Sequence, residues 1–273
     1  MPAARDSSPP PATASAVPGR GFRGRWASWH DRFVVEERYV APAVRRRLYA
    51  TAATLVVVGL AAFVLLLVAV LTRSGFERLD RPVEQWFDAQ RSGDATRFMT
   101  VLAIVFGPVG MPIIVLIALV AWILLARHLW RPILLLAGMV AGVVLAQVIA
   151  PIVRHPRPPI AQMLLDPDHT YSFPSGHVLG MSDFFLLLAF LFASRIRRRW
   201  FTVVAFAIAV ACVVAQVVSR LYLGYHWLTD VSASVALSLV VVGVVIAIDT
   251  RRTVRVPGER IDGPYSARQT EGT

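Results

Sequence analysis

Lysine is absent from this 273-residue chain, cysteine occurs once, and charged residues make up only 16% of it. Each shortage excludes something. A soluble domain carries about a quarter of its residues as charges, so a water-facing surface over most of this chain is excluded. The one cysteine, Cys212, lies inside an apolar run, which excludes a disulfide scaffold. With lysine missing, all 28 basic residues are arginine, against 17 acidic ones, for a formal charge of +11. These arginines sit between apolar segments rather than on one soluble face, so no nucleic-acid partner is expected. What the chain has in excess is apolar sequence: 56% hydrophobic residues, a mean hydropathy of +0.59, and several runs of about 20 residues without a charge. Intrinsic disorder and collagen-like repeats are thereby excluded, and a soluble enzyme is disfavoured. The fold class expected is all-α, a polytopic membrane helix bundle.

Six runs are long enough to cross about 30 Å of hydrocarbon at 1.5 Å per residue. They are 48–72, 100–126, 132–153, 178–194, 200–218 and 228–248. The second contains Gly107-Pro108 and is expected to kink there or to start just before. With alternating spans and the N-terminus inside, the inner segments hold 20 arginines and the outer ones 8. The positive-inside rule therefore places both termini in the cytoplasm and the protein in the cell membrane. The first run is too long for the core of a secretory signal, and no small-residue cleavage pattern follows it, so it is expected to stay as an anchor. The chain divides into a basic cytoplasmic tail (1–47), a six-span domain (48–249) and a disordered cytoplasmic tail (250–273). Residues 1–20, rich in Pro, Ala and Ser, read as disordered.

Two stretches carry helical stripes. Trp26, Trp29, Phe33 and Val40 fall near helical spacing among arginines, consistent with a helix on anionic lipid or with a solvated basic lead-in. After the first span, Phe76, Leu79, Val83, Trp86 and Phe87 form one stripe with Asp80, Arg81, Glu84 and Asp88 opposite. An interfacial helix is expected there, serving as an anchor or as a guide for lipid substrates.

Three connections on the outer side hold polar residues that anchoring does not require. The first reads Arg154-His155-Pro156-Arg157-Pro158. The second reads Tyr171-Ser172-Phe173-Pro174-Ser175-Gly176-His177 and opens the fourth span; the third runs from Ser219-Arg220 through His226 to Asp230 and opens the sixth. Arg157 and Arg220 offer planar, permanently charged forks that match phosphate oxygens. Ser175 and Gly176 precede a helix, where free N–H groups and the helix dipole favour an anion. His226 and Asp230 are four apart and share a helix face, so a carboxylate can hold one ring nitrogen protonated while the other attacks. His177 is placed to protonate a leaving oxygen. The parts describe phosphoryl transfer through a phosphohistidine, with arginines and amides supplying the positive charge and no metal or other cofactor required. At ordinary residue frequencies the third pattern alone would arise on the order of once in a thousand chains of this size.

On these motifs the sequence resembles the type-2 phosphatidic acid phosphatase family, integral membrane lipid phosphatases related to vanadium haloperoxidases. The family pattern is Lys, six residues, Arg-Pro; then Pro-Ser-Gly-His; then Ser-Arg, five residues, His, three residues, Asp. Pro174-Ser175-Gly176-His177 matches the second element, and Ser219, Arg220, His226 and Asp230 match the third without a gap. In the first element Arg157-Pro158 is present, but the lysine position is Ala150. The resemblance covers about residues 48–249. It implies a six-span bundle with an active site at the outer membrane–water interface. It also implies His226 as nucleophile, Asp230 as its orienting partner and His177 as general acid. Arg157, Ser175, Gly176 and Arg220 would then bind the phosphoryl group. The lysine helps hold that group, and Arg154 is the expected replacement, with His155 a second candidate. The implied partners are membrane lipids and a lipid phosphate substrate: a polyprenyl diphosphate such as undecaprenyl diphosphate, phosphatidylglycerol phosphate or phosphatidic acid. Transfer of the phosphoryl group to another lipid, or lipid-phosphate binding without catalysis, are the alternatives.

Other polar residues inside the spans carry weaker expectations. Asp183 supports the site, pairs with a neighbour or faces a water-filled cleft. Gln147 and Gln216 are expected to bond between helices, and Trp130, Trp200 and Trp227 to form an aromatic belt.

Overall fold

The structure is a computed structural model that describes residues 35–36, 38–125, 129–196, 198–259 and 266–267. Eight helices are described: α1 (Pro42–Thr72), α2 (Asp80–Ala89), α3 (Gly93–Val105), α4 (Gly110–Leu125), α5 (Trp130–Val153), α6 (Gly176–Ile196), α7 (Arg199–Tyr222) and α8 (Leu228–Thr253). Helices α1, α5, α6, α7 and α8 are each long and apolar enough to cross a membrane, and α3 and α4 pass together as a pair bent by 55°. Counting that pair as one span gives the expected six. The bend falls at Phe106–Val109, where Pro108 has no N–H to continue the ladder.

Position in the bundle follows from how much of each helix is apolar all round. Helices α6 and α8 form the centre, while α1, α5 and α7 present long exposed apolar faces, among them Leu65, Val148 and Val203, to the surroundings. The core is built from Leu135 of α5, Phe184, Leu187 and Leu191 of α6, and Val242 and Val245 of α8. Helix α1 lies against α8 at backbone distance. A Cβ at Gly59 would come within 2.6 Å of the Ala236 carbonyl, and one at Gly243 within 2.8 Å of the Ala52 carbonyl. Small residues at both crossings are what permit this approach.

The expected helix exists as α2, preceded by a short 3-10 turn, Gly75–Leu79, but only part of its apolar stripe turns inward: Val83 and Phe87 pack against the core, beside two of the acids. Asp80 and Glu84 are buried, whereas Phe76, Leu79 and Trp86 are exposed. The acids point inward because Thr229 offers two donors to Asp80, and the exposed apolar residues sit where lipid would surround them.

At the opposite end the tails are tied together where they are described. Helix α8 runs to Thr253, past the expected end of the domain at 249, and Val254–Arg255 (β3) pairs in parallel with Arg38–Tyr39 (β2). Val35–Glu36 (β1) pairs likewise with Ser266–Ala267 (β4). The buried Asp249 receives Arg38 Nη2 at 3.2 Å and Trp130 Nε1 at 3.1 Å. Trp130 is thus engaged by a carboxylate, while Trp200 is exposed as a belt residue would be. Residues 1–20, and the 26–40 stripe apart from 35–36 and 38–40, lie outside the described residues.

Candidate active site

The α5–α6 connection, the α7–α8 connection and the N-terminus of α6 meet at one end of the bundle, as their order along alternating spans requires. Backbone carbonyls and a few side chains lock them. Trp227 Nε1 donates to the Pro156 carbonyl at 2.8 Å and Leu164 N to the Leu223 carbonyl at 3.1 Å. Arg91 Nη2 donates to the Gln162 carbonyl at 2.7 Å. Ser219 Oγ donates to the Met99 carbonyl at 2.9 Å, so this motif serine fastens α7 to α3. Ser234 Oγ donates to the Ser175 carbonyl at 3.0 Å, holding the start of α6 against α8.

His226 is buried at the α7–α8 corner, just ahead of α8. Its Nδ1 lies 2.9 Å from the Ser172 carbonyl oxygen and its Nε2 3.2 Å from Arg157 Nη1. A carbonyl only accepts and a guanidinium only donates, so the ring must carry its proton on Nδ1 and a lone pair on Nε2. Burial lowers the His226 pKa to about 4 against the opposing pull of Asp230, with the charges of Arg220 and Arg157 adding to the fall. The imidazole is neutral at pH 7.

Asp230 stands less close to this ring than expected. Its Oδ2 is 3.5 Å from His226 Nδ1 and accepts from Trp227 N at 2.8 Å. Its Oδ1 is 2.9 Å from His155 Nδ1. Asp230 is the third residue of α8, where a carboxylate meets the free N–H groups of the first turn, and His155 takes the other oxygen. The carbonyl of Ser172, not the carboxylate, is the nearest acceptor for the His226 proton, and His155 is bonded to Asp230.

Arg157 is held on every side. It donates from Nε to the Thr170 carbonyl (3.1 Å), from Nη1 to the Tyr225 carbonyl (2.8 Å) and to His226 Nε2, and from Nη2 to Thr170 Oγ1 (2.8 Å). Asp168 Oδ2 makes an ion pair with Nη2 at 2.9 Å. Arg220 is buried with its guanidinium 4.6 Å over the Tyr225 ring, and its Nε lacks a hydrogen-bond partner among the described residues. Ser175 Oγ is likewise buried without one, and Gly176 opens α6 with an exposed backbone. These orphaned donors suit an anion. His177 follows on the first turn of α6, within electrostatic reach of Arg220, His226, Arg157 and Asp168. Arg154 is not brought to this group. It caps α5 in the left-handed conformation, φ 52° and ψ 37°, is exposed, and donates Nε to the Pro151 carbonyl at 3.0 Å.

Four contributors escaped the motif reading: Ser172, Asp168, Thr170 and Asp80. Ser172 works through its backbone carbonyl, which leaves no mark on residue type. Asp80, on α2, is remote in sequence. Asp183 is fully buried, its carboxylate facing Gly142 of α5 where a Cβ would collide with it. Gln216 is buried with neither side-chain polar atom hydrogen-bonded among the described residues, contrary to the expected interhelical bond. Among the described residues no group of three or more His, Cys, Asp or Glu is arranged to hold a metal ion.

Beside His177 lies a cavity of about 530 Å³. The α3–α4 bend (Phe106, Gly107, Pro108), α4, α5 and the start of α6 line it, and its walls are apolar except for Gln147 and His177.

The PAP2 superfamily model matches residues 131–253. The crystal structure titled as the first transmembrane PAP2 type phosphatidylglycerolphosphate phosphatase, from Bacillus subtilis, superimposes with a TM-score of 0.64 at 19% sequence identity, covering 71% of this chain and 96% of that one. No curated protein sequence matches the chain. The matched segment holds every motif residue from Arg157 to Asp230, and over it the chain is similar to the PAP2 superfamily; its fold and its long apolar helices are those of a multi-pass membrane protein.

Proposed function

We propose that the protein is a membrane lipid phosphatase that cleaves a phosphomonoester or diphosphate through a phosphohistidine on His226 Nε2. The observation that carries this reading is the ring's forced tautomer: Nδ1–H on the Ser172 carbonyl, and the Nε2 lone pair turned toward Arg157. A neutral, oriented imidazole among cations is a nucleophile matched to an anionic electrophile. In the first step Nε2 attacks phosphorus, the bond to the lipid oxygen breaks, and His177 gives that oxygen its proton. Positive charge then developing on the imidazole is balanced by Asp230, 3.5 Å from Nδ1. In the second step a water gives its proton to His177, attacks phosphorus and frees His226. Arg157 and Arg220, with Ser175 Oγ and the amides at the start of α6, hold the phosphoryl oxygens and supply the charge that a metal ion provides elsewhere.

The apolar cavity beside His177 supports a lipid over a soluble phosphate ester, because a hydrocarbon tail fills such a space favourably. Candidate substrates are a polyprenyl diphosphate, phosphatidylglycerol phosphate and phosphatidic acid; the structural neighbour is named for the second. Orientation by arginine count puts the site on the outer face of the cell membrane. The test is inorganic phosphate release from these three lipids by detergent-purified protein with a chelator present, beside His226→Ala. Release by the wild type that disappears in the variant is the expected result. Release that the variant retains, or that the chelator stops, would overturn the mechanism.

A further inference from the structure

Arg157 poses a problem for any phosphate that approaches it. Four hydrogen bonds and an ion pair already engage its guanidinium. To bind a phosphoryl group, it must give up a partner. Tyr225 O and Thr170 O are backbone acceptors, and His226 Nε2 is the group that must reach phosphorus. The remaining partner with a charge to exchange is Asp168.

Asp168 is suited to that exchange. Thr170 N and Thr170 Oγ1 hold its Oδ1 at 2.9 and 2.8 Å, so the carboxylate is kept ionised and aimed. Its side chain is 31% exposed, against 11% for Arg157, so water can take over its solvation when it leaves. The charge of Asp168 is felt by Arg220 as well as by Arg157, the two cations that would surround a phosphoryl group. The chain around it is anchored on both sides and exposed between, where its ties to the bundle run through Arg157 and Met163. Tyr225 Oη bonds the Asp166 carbonyl at 2.6 Å, Ser172 N bonds the His155 carbonyl at 2.9 Å, and most of 167–171 is exposed.

We infer that Asp168 is an internal stand-in for the substrate anion, pairing with Arg157 until a phosphoryl group exchanges for it, and so sets how strongly the site must grip a phosphate before it binds. The inference rests on the phosphatase reading above. Exchange of one anion for another keeps the charge of the cluster balanced before and after binding, and only a ligand with an anion of its own releases Arg157. A neutral lipid that enters the cavity leaves the pair closed.

The competing role for Asp168 is to hold Arg157 in place for substrate, and the two roles have opposite signs. Asp168→Asn keeps the Oδ1 acceptor for Thr170 and removes the charge. With the full chain in detergent, inorganic phosphate is the probe, read by calorimetry and as a competitive inhibitor of hydrolysis. Loss of a partly exposed ion-pair competitor should tighten phosphate binding about three- to tenfold. Unchanged or weaker binding would overturn the inference. A second measurement needs no variant: hydrogen exchange across 164–171 in the wild type should quicken on adding phosphate, because the turn loses its tie to Arg157. Slower or equal exchange would count against release. A wild type whose phosphate binding is unaffected by Arg157→Ala would instead sink the phosphatase reading itself.

Discussion

Asp80 is the contact through which α2 reaches the corner that holds His226 and Asp230, and it makes a two-sided prediction. It opens α2, is 3% exposed, and accepts from Thr229 N at 2.9 Å and Thr229 Oγ1 at 2.7 Å. Thr229 is the second residue of α8 and adjoins Asp230, so the carboxylate caps the helix on which Asp230 stands. Burial raises the Asp80 pKa to about 6 even though the two Thr229 bonds pull it down. An unfolded aspartate titrates near 4. With the folded value the higher, the contribution to stability is complete below about pH 4 and is lost as pH rises through 6. Two units at 1.36 kcal/mol each, halved for partial solvation, leave a cost of about 1–2 kcal/mol at pH 7.5. Asp80→Asn removes that charge while keeping an acceptor for Thr229 N and offering Nδ2–H to Thr229 Oγ1. It forfeits about 0.3–1 kcal/mol of attraction to the helix N-terminus, for a net change between zero and a gain of about 1.7 kcal/mol. Asp80→Ala leaves two buried donors unpaired, each costing about 1–3 kcal/mol, and should destabilise by at least about 2 kcal/mol. Thermal unfolding in detergent at pH 5 and 7.5, paired with lipid-phosphate hydrolysis, reads both. Asn should melt at or above wild type at pH 7.5, with the advantage shrinking at pH 5, while Ala melts lower and loses kcat. If Asn fell as far as Ala at pH 7.5, the charge and not the acceptor pair would be holding Thr229, and the reasoning would be wrong.

Three further expectations separate neighbouring residues. Arg154→Ala should change hydrolysis less than about threefold, and Arg157→Ala should lower kcat by about 10²–10³, the loss typical of a donor to developing charge; equal losses would mean that Arg154 reaches the substrate after all. Gly107→Val should cut kcat for a lipid substrate by at least about tenfold, because its Cβ would collide with the Ala103 carbonyl at 2.5 Å and stand 3.3 Å from His177 Nε2, shifting the α3–α4 bend that lines the apolar cavity, and wild-type rates in that variant would remove the cavity from the lipid path. Nitrogen-15 histidine spectra should show His226 as the neutral Nδ1–H form at pH 5.5, with stability present above about 6.5 and lost as pH falls toward 4. A His226 signal that titrates near 6.5 would contradict the buried, arginine-flanked ring.

The six-span architecture could be read from sequence because a bilayer imposes one strong demand, about 20 apolar residues per helix. Even the fault in the second span was visible, since Gly107-Pro108 breaks a helix by its chemistry alone. The motif residues Arg157, Ser175, Gly176, His177, Arg220, His226 and Asp230 were legible for a related reason: the proposed phosphoryl transfer would restrict side-chain type at each place. What stayed hidden were the groups whose contribution does not depend on type. The acceptor that sets the His226 tautomer is a main-chain oxygen of Ser172, which almost any residue supplies. The stripe on α2 was visible but its direction was not, because Thr229 draws Asp80 inward while Val83 and Phe87 still pack against the core. Asp168 belongs to no spacing, and its place beside Arg157 depends on how the α5–α6 connection folds back.

The missing lysine becomes intelligible from this charge arrangement. With Ala150 in its place and Arg154 turned to the Pro151 carbonyl, the full cations of the cluster are Arg157 and Arg220. A site with three fixed cations and no ligand would carry strong self-repulsion, and burial makes that costlier. Here one arginine is paired with Asp168 and the other is screened by the Tyr225 ring face. In the proposed site one cation fewer would lower the grip on phosphate, but it would also lower the cost of keeping the cluster buried between turnovers. On this argument, restoring the cation with Ala150→Lys should tighten phosphate binding and lower the melting temperature of the ligand-free protein, and excess phosphate should recover the difference. A lysine that tightened binding without such a cost would show that repulsion among the arginines does not limit the site.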